Sequence, residues 1–151
     1  MRDRLLSLAL GAALLLGSGA QAPAADFYGA DPQPEMNADA LVPACEDPRV
    51  LAEVEDQFEY GAVDMLQTGV VIEEFGQLVE KAYFPMTEDR PIERRYCQGD
   101  ALISDGHRRT VYYVVSHPLG FASVTWKAEG CVLGLDKWYI YGANCQSLRR
   151  F

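Results

Sequence analysis

The sequence predicts an α+β domain in which an N-terminal helix packs on an antiparallel meander sheet of three to four strands held by two disulfides. Three observations predict it. An apolar period typical of a helix begins at residue 48, extended segments joined by turn signals fill the C-terminal half, and four cysteines are widely spaced along the chain.

The first 24 residues have the pattern of a secretory signal peptide. Arg2 and Arg4 precede an apolar run over residues 5–16, and small residues follow. This run is shorter than the roughly 20 residues of a membrane-spanning helix, so we expect no membrane span in the mature protein. Cleavage after Ala24 is favoured, because the competing site would leave Pro23 at the new terminus. The protein is therefore predicted to be periplasmic or secreted.

A flexible leader is predicted over residues 25–44, which are rich in Ala, Pro and Asp and show no apolar period. A single domain over residues 45–151 follows. Asp47 and Pro48 form a helix start, because the carboxylate accepts backbone N–H groups and proline suits the first helical position. A helix over 48–66 is predicted from apolar residues at helical spacing, namely Val50, Leu51, Val54, Phe58, Ala62 and Met65.

The segment over residues 69–83 fits either a strand or a second helix. We favour the strand, because β-branched residues begin it and Gly76 suits a β-bulge better than a helix. Clearer strands flank the turn at Asp105-Gly106, and a further strand is predicted over residues 121–132 after a turn at 117–120. These strands form the predicted meander.

Four cysteines in an exported chain predict two structural disulfides. Because side chains alternate between the two faces of a strand, Cys97 falls on the core face, whereas Cys131 falls on the opposite face and is expected toward the surface. A core-facing Cys97 can meet Cys45 beside the helix start. We therefore predict the pairs Cys45–Cys97 and Cys131–Cys145.

Charge is unevenly distributed along the chain. Residues 26–89 contain 16 acidic and 2 basic side chains, whereas residues 90–151 contain 9 basic and 5 acidic ones. The simpler interpretation of this charge distribution is that a basic sheet packs beside an acidic helix. The more specific interpretation is that the acidic half forms a binding face for a basic partner. A nucleic-acid-binding protein needs a net basic surface, so that class is excluded.

Few residues have the chemistry of a catalytic site. The two histidines, His107 in a predicted turn and His117 before a proline, are separated by a strand, so we expect no metal site, and no cofactor motif is present. Ser104, Asp105 and His107 are the residue types of a hydrolytic triad, but their adjacency in sequence does not produce its geometry. A weak hydrolase with either histidine as general base is kept as an alternative function.

The arginines flank the predicted hairpin. Arg94 and Arg95 lie near one end of it and Arg108 and Arg109 near the other, roughly 30 Å apart along a strand. We therefore expect two separate exposed pairs that form ion pairs with nearby acidic side chains, rather than one anion site.

Five aromatic residues are candidates for a partner-binding surface. Aromatic residues beside arginines are common at protein interfaces. Tyr112 opposes the apolar set of its strand and Phe121 lies on the polar face of the next, while the C-terminal segment contributes Trp138, Tyr139 and Tyr141. A helix packed on a sheet with one face left for contact is also the architecture of cystatin-like modules, an analogy that carries no function by itself.

These features together predict a small periplasmic binding or envelope-interaction protein without catalytic activity, cofactor or metal. Its partner is expected to be an envelope protein. The alternative is an inhibitor of a basic cell-wall hydrolase of the lysozyme kind, bound through the acidic half of the chain.

A set of short motifs also carries a resemblance. The stretches RRYC, SDG, VYY, GF and CVLGLD and a late cysteine before Arg149 span about residues 45–150. They resemble a group of small exported proteins of alpha-proteobacteria that have no assigned activity. The resemblance implies export and one compact domain, and it brings no catalytic residue.

Overall fold

The computed structural model describes residues 39–149, so the predicted signal peptide and residues 25–38 of the predicted leader lie outside the described residues. Helix α1 spans Pro48–Gly61 and continues as a π-helical turn, Ala62–Leu66. Four strands follow, β1 at Ile72–Phe84, β2 at Glu93–Ile103, β3 at Arg108–His117 and β4 at Lys127–Val132. Short 3-10 turns occupy Phe121–Ser123 and Ala143–Cys145. The predicted α+β class is confirmed.

Helix α1 begins as its sequence predicts. The Asp47 carboxylate accepts the backbone N–H of Arg49 at 2.9 Å, and Pro48 holds the first helical position. The predicted span of 48–66 is confirmed, although its last turn is π-helical and Gln67 ends it in the left-handed conformation with φ 53°. No helix among residues 39–149 is long and apolar enough to cross a membrane.

The four strands form one antiparallel sheet in the order β1-β2-β3-β4, which is the predicted meander. Residues 69–83 contain most of β1, so the choice of a strand over a helix is confirmed. The register against β2 shifts directly after Gly76, and Gln77 there has φ 51°. This is the bulge that the glycine indicated.

One face of the sheet packs against α1 and forms the helix-side core. The Cys45–Cys97 disulfide closes it, as predicted, and the Tyr113 hydroxyl donates a hydrogen bond to the Cys45 carbonyl at 2.9 Å. The helix approaches β4 closely, because a Cβ on Gly130 would lie 2.5 Å from Val54 Cγ1. The buried residues of this core are Val42, Cys45, Val50, Val54, Ile72, Cys97, Ala101, Ile103, Val111, Tyr113, Val115, Ala128 and Val132.

The opposite face of the sheet packs against the C-terminal segment and forms the second core. The predicted Cys131–Cys145 pair is confirmed, and Cys131 does face away from the helix. The expectation that this bond lies toward the surface is wrong, because the C-terminal segment folds over it and buries both cysteines. The buried residues here are Ala82, Tyr96, Val114, Cys131, Cys145 and Leu148.

Two predicted boundaries differ from the structure. The strand predicted over residues 121–132 begins only at Lys127, because the chain folds back on itself at Gly120, where the N–H donates to the Thr125 carbonyl at 2.7 Å. The predicted leader ends too late, because Val42 is buried in the helix-side core. Residues 39–44 therefore belong to the packed domain.

Candidate functional site

Five apolar side chains are exposed where the N-terminal segment and two loops meet. The register pairs Phe84 with Arg94, Arg94 with Ser116, and Ser116 with Lys127, so the β1–β2 and β3–β4 loops leave the same end of the sheet. We call this surface the apolar end; its members are Leu41, Met86, Leu119, Phe121 and Val124.

The β3–β4 loop contributes the most exposed members of the apolar end. Phe121 is 87% exposed and Val124 is 68% exposed. The loop backbone is nevertheless fixed by internal hydrogen bonds, since Leu119 N and Val124 N donate to the carbonyls of Thr125 and Phe121 at 3.0 and 3.1 Å. Ala122 takes a left-handed φ of 51°, which is costly for a residue with a Cβ. A fixed loop therefore holds two large apolar groups in water.

A charged cluster is buried beside the apolar end, on the helix side of the sheet. Glu93 is 3% exposed, and its carboxylate accepts the backbone N–H groups of Leu41 and Val42 and the hydroxyl of Tyr83 at 2.9 to 3.3 Å. Arg95 is 6% exposed and pairs with Glu80. Glu93 thus fastens the N-terminal segment to the sheet.

Tyr83 connects the members of this cluster. Its ring lies under the Arg95 guanidinium, with 4.9 Å from Cζ to the ring centre. Burial, followed by the hydrogen bond to Glu93, raises the pKa of Tyr83 to about 12. The phenol is therefore protonated near neutral pH, and it donates its hydrogen bond to Glu93.

An open hollow of about 400 Å³ lies between the N-terminal segment and the β1–β2 loop. Its walls are apolar or aromatic, and two carboxylates line it, those of the buried Glu93 and the exposed Asp39. The other lining residues are Leu41, Tyr83, Pro85 and Met86. Among the described residues, Glu93 forms no ion pair, whereas the nearby Arg95 is neutralised by Glu80. The hollow consequently carries surplus negative charge.

The aromatic residues predicted as a contact surface occupy three different environments. Tyr112 and Tyr141 are half-buried and pack against the second core. Trp138 and Tyr139 are exposed on the segment that follows β4, whereas Phe121 is exposed on the loop that precedes it. The structure therefore does not gather the five side chains into one patch.

A second cavity lies between α1, β4 and the C-terminal segment. It measures about 50 Å³ and is lined mainly by apolar side chains of the π-helical turn and of residues 130–141. At its edge the Gln57 side chain accepts the Gly130 N–H and donates to the Tyr141 hydroxyl, each at 2.7 Å. These polar groups satisfy one another, whereas the hollow contains the buried carboxylate of Glu93, which has no ion-pair partner among the described residues, so the hollow is the stronger candidate site.

The histidines lie at opposite ends of β3. His107 is exposed in the predicted turn, with Nδ1 3.3 Å from the Asp105 carboxylate, and Asp105 also pairs with Arg109. The side-chain hydrogen bond from Arg109 lowers the pKa of Asp105. His117 lies opposite Glu93 in the β2–β3 register, beside the charged cluster. The geometry of a hydrolytic triad is not formed at Ser104, Asp105 and His107, because these residues build the turn itself.

The arginines form two separate groups, as predicted. Arg94 pairs with Ser116 in the register and Arg108 with Leu102, at opposite ends of the hairpin. Arg108 meets Glu74 at 3.2 Å on the surface. The expectation that both pairs are exposed is wrong for Arg95, which β2 directs into the protein beside Glu80 and Tyr83.

Sequence reasoning overlooked Glu93 and placed Arg95 at the surface, although a signal for both was available. The alternation that places Cys97 on the core face also places residues 95 and 93 there, two and four positions earlier. A carboxylate and a guanidinium at core positions indicate a buried polar cluster. No comparable sequence pattern indicates the hollow, because the hollow depends on where the N-terminal segment packs.

Among residues 39–149, no group of three or more His, Cys, Asp or Glu side chains is arranged to hold a metal ion. Comparison of the chain with known proteins gives no matching family model, no matching curated protein and no matching solved structure.

Proposed function

We propose that the protein is a small non-catalytic binding protein of the cell envelope and that its apolar end is the contact surface. The observation that carries this proposal is the fixed β3–β4 loop, which exposes Phe121 and Val124. A loop that is already ordered loses little conformational entropy on binding, so more of the burial energy of its apolar groups becomes affinity.

Of the residues predicted as a contact surface, the proposed surface includes Phe121 and excludes Trp138. Three chain segments contribute exposed apolar groups at the apolar end, whereas the exposed patch at Trp138, Tyr139 and Ile140 comes from one segment. Binding energy at interfaces concentrates in large side chains near the centre of a patch. Phe121 is the largest and most exposed side chain of the apolar end, so it is the first candidate for such a role.

A protein partner is favoured over an anionic membrane surface. Asp39 lies beside the apolar end, and Glu88 and Asp89 are exposed on its β1–β2 loop. These carboxylates and the overall net charge of −9 oppose approach to an anionic bilayer. The same charges favour a partner that carries basic groups around an apolar cleft.

The test is cross-linking capture from an envelope extract with the exported protein and two single variants. Phe121→Asp places a charge at the proposed contact, and Trp138→Asp is the matched control on the other exposed patch. We expect a partner that the wild-type protein and the Trp138→Asp variant recover alike and that the Phe121→Asp variant loses. Equal recovery by all three, or none above an unrelated acidic exported protein, contradicts the proposal.

Inhibition of a basic cell-wall hydrolase is the second candidate function. It is supported by the excess of 13 acidic over 2 basic residues between positions 39 and 89. Complementary charge would accelerate association and make inhibition weaker as salt rises. Lysozyme turnover should therefore fall at low salt with excess protein, and an unchanged rate under those conditions eliminates this candidate.

A further inference from the structure

The hollow beside Glu93 has the composition of a receptor for one cationic side chain. Its apolar walls, from Leu41, Pro85 and Met86, suit the aliphatic stem of a lysine or arginine. Glu93 and Asp39 also line the hollow, and they supply two carboxylates for the charged head. A volume of about 400 Å³ is ample for one such side chain.

The charge of Glu93 supports the same ligand chemistry. Among residues 39–149, the hydrogen bonds to this carboxylate come from uncharged donors, two backbone N–H groups and one hydroxyl. Three of the four contacts within 3.3 Å fall on Oε1, while Oε2 receives only the long contact from Leu41 N. Because the buried Glu93 carboxylate has no ion-pair partner among the described residues, a cation in the hollow gains more from it than a neutral group does.

We infer that this hollow binds a lysine or arginine side chain of the partner protein while the neighbouring Phe121 loop enters an apolar cleft of that partner. The inference rests on the proposed function and deepens it by specifying the partner's chemistry. The apolar end supplies the buried area, and the hollow selects a partner with a basic side chain next to its cleft.

The hollow can be tested without the partner by titrating the protein with small organic probes. Butylammonium and butylguanidinium imitate the two cationic side chains, butanol is a neutral probe of similar length, and butyrate is an anionic one. The readout is the NMR shift of the Leu41 and Val42 amide groups, which report directly because they donate to Glu93. We expect saturable shifts with the two cations in the millimolar range and none with butanol or butyrate.

A charge-matched pair of variants separates the hollow from general electrostatic attraction. Asp39→Asn removes a carboxylate that lines the hollow, whereas Asp89→Asn removes an exposed carboxylate of the neighbouring loop outside it. We expect Asp39→Asn to weaken butylammonium binding by about two- to fivefold, the range of a partly exposed charge pair, and Asp89→Asn to leave it unchanged. Both variants keep Glu93 and therefore the fold.

The possible outcomes are distinct. Similar shifts with butanol or butyrate, no saturable shift with either cation, or equal weakening in both variants overturns the cation site. Capture of a partner that depends on Phe121 but not on Asp39 also overturns the cation site and leaves the proposed function standing. Saturable cation binding without any Phe121-dependent capture supports the hollow and contradicts the docking surface.

Discussion

The helix-side core and the second core are each closed by one disulfide, but the two bonds close loops of very different length. Cys45 and Cys97 are 52 residues apart, whereas Cys131 and Cys145 are 14 apart. Among residues 39–149, the helix-side core contains thirteen buried residues and the second core contains six. The helix side therefore contributes most of the stability, and the second core chiefly attaches the C-terminal segment to a sheet that is already formed.

Replacing Cys45 and Cys97 together by alanine should have the largest effect. The chain-entropy model assigns about 4 kcal/mol to a loop of this length, a large part of the 5 to 15 kcal/mol typical of a domain. We expect that loss in the free energy of unfolding from urea denaturation, with a single cooperative transition. A loss smaller than that of the second disulfide would reverse the ranking of the two cores.

Replacing Cys131 and Cys145 by alanine should cost less, about 3 kcal/mol in the same chain-entropy model. The effect should also be local, because the second core holds the C-terminal segment rather than the helix. Hydrogen exchange is expected to accelerate in residues 133–149 while the amides of α1 and β2 keep their protection relative to the global stability. Uniform acceleration along the chain would show that the two cores unfold as one unit.

The close approach of α1 to β4 is tested by Gly130→Ala. The added Cβ would lie 2.5 Å from Val54 Cγ1, so we expect overpacking to cost about 1 to 3 kcal/mol. In a Val54→Ala background the same change should cost much less, because the atom nearest to the new Cβ is gone. A double-mutant cycle by urea unfolding measures the difference. Equal costs in both backgrounds would mean that the helix moves away freely.

Tyr113→Phe removes one polar contact of the helix-side core without changing its shape. The hydroxyl is the donor to the Cys45 carbonyl, and its loss should cost about 1 kcal/mol plus part of the penalty of an unpaired carbonyl. Tyr112→Phe on the opposite face of β3 is the matched control and should change stability less. Thermal melts of the two variants measure the difference. Equal shifts in Tm would contradict a larger contribution of the Tyr113 hydroxyl to stability.

The smallest expected effect is the alkaline behaviour of Tyr83, which lies in the cluster beside the helix-side core. Its folded pKa is about 12 against 10.0 when unperturbed, so the unfolded phenol ionises first as the pH rises. The contribution of Tyr83 to stability is complete below pH 10 and is lost between about pH 10 and 12. Tyr83→Phe should flatten the decline of Tm in that window, whereas Tyr60→Phe, at an exposed position, should not. Identical declines in both variants would contradict the shift.

The predictions from the sequence were correct where a feature depends on neighbouring residues, and they failed where it depends on contacts between residues farther apart. The α1 start at Asp47 and Pro48 and the bulge after Gly76 depend on neighbouring residues, and both were predicted. The strand predicted from residue 121 failed, because its alternating apolar residues have the period of a strand but Gly120 contacts Thr125 and closes a loop. A period of two residues does not show whether a face is covered, and Val124, within the predicted strand, is exposed.

The α+β class, the helix, the order of the strands and both cysteine pairs were predictable from the sequence, because they follow from side-chain period, turn residues and strand alternation. The segments that cover each face of the sheet could not be predicted in this way. The docking of residues 39–44 on Glu93 creates the hollow, and the C-terminal segment buries the bond that alternation placed outside. Both are contacts between segments far apart in the chain, and their free energy depends on shape and desolvation that no local pattern records.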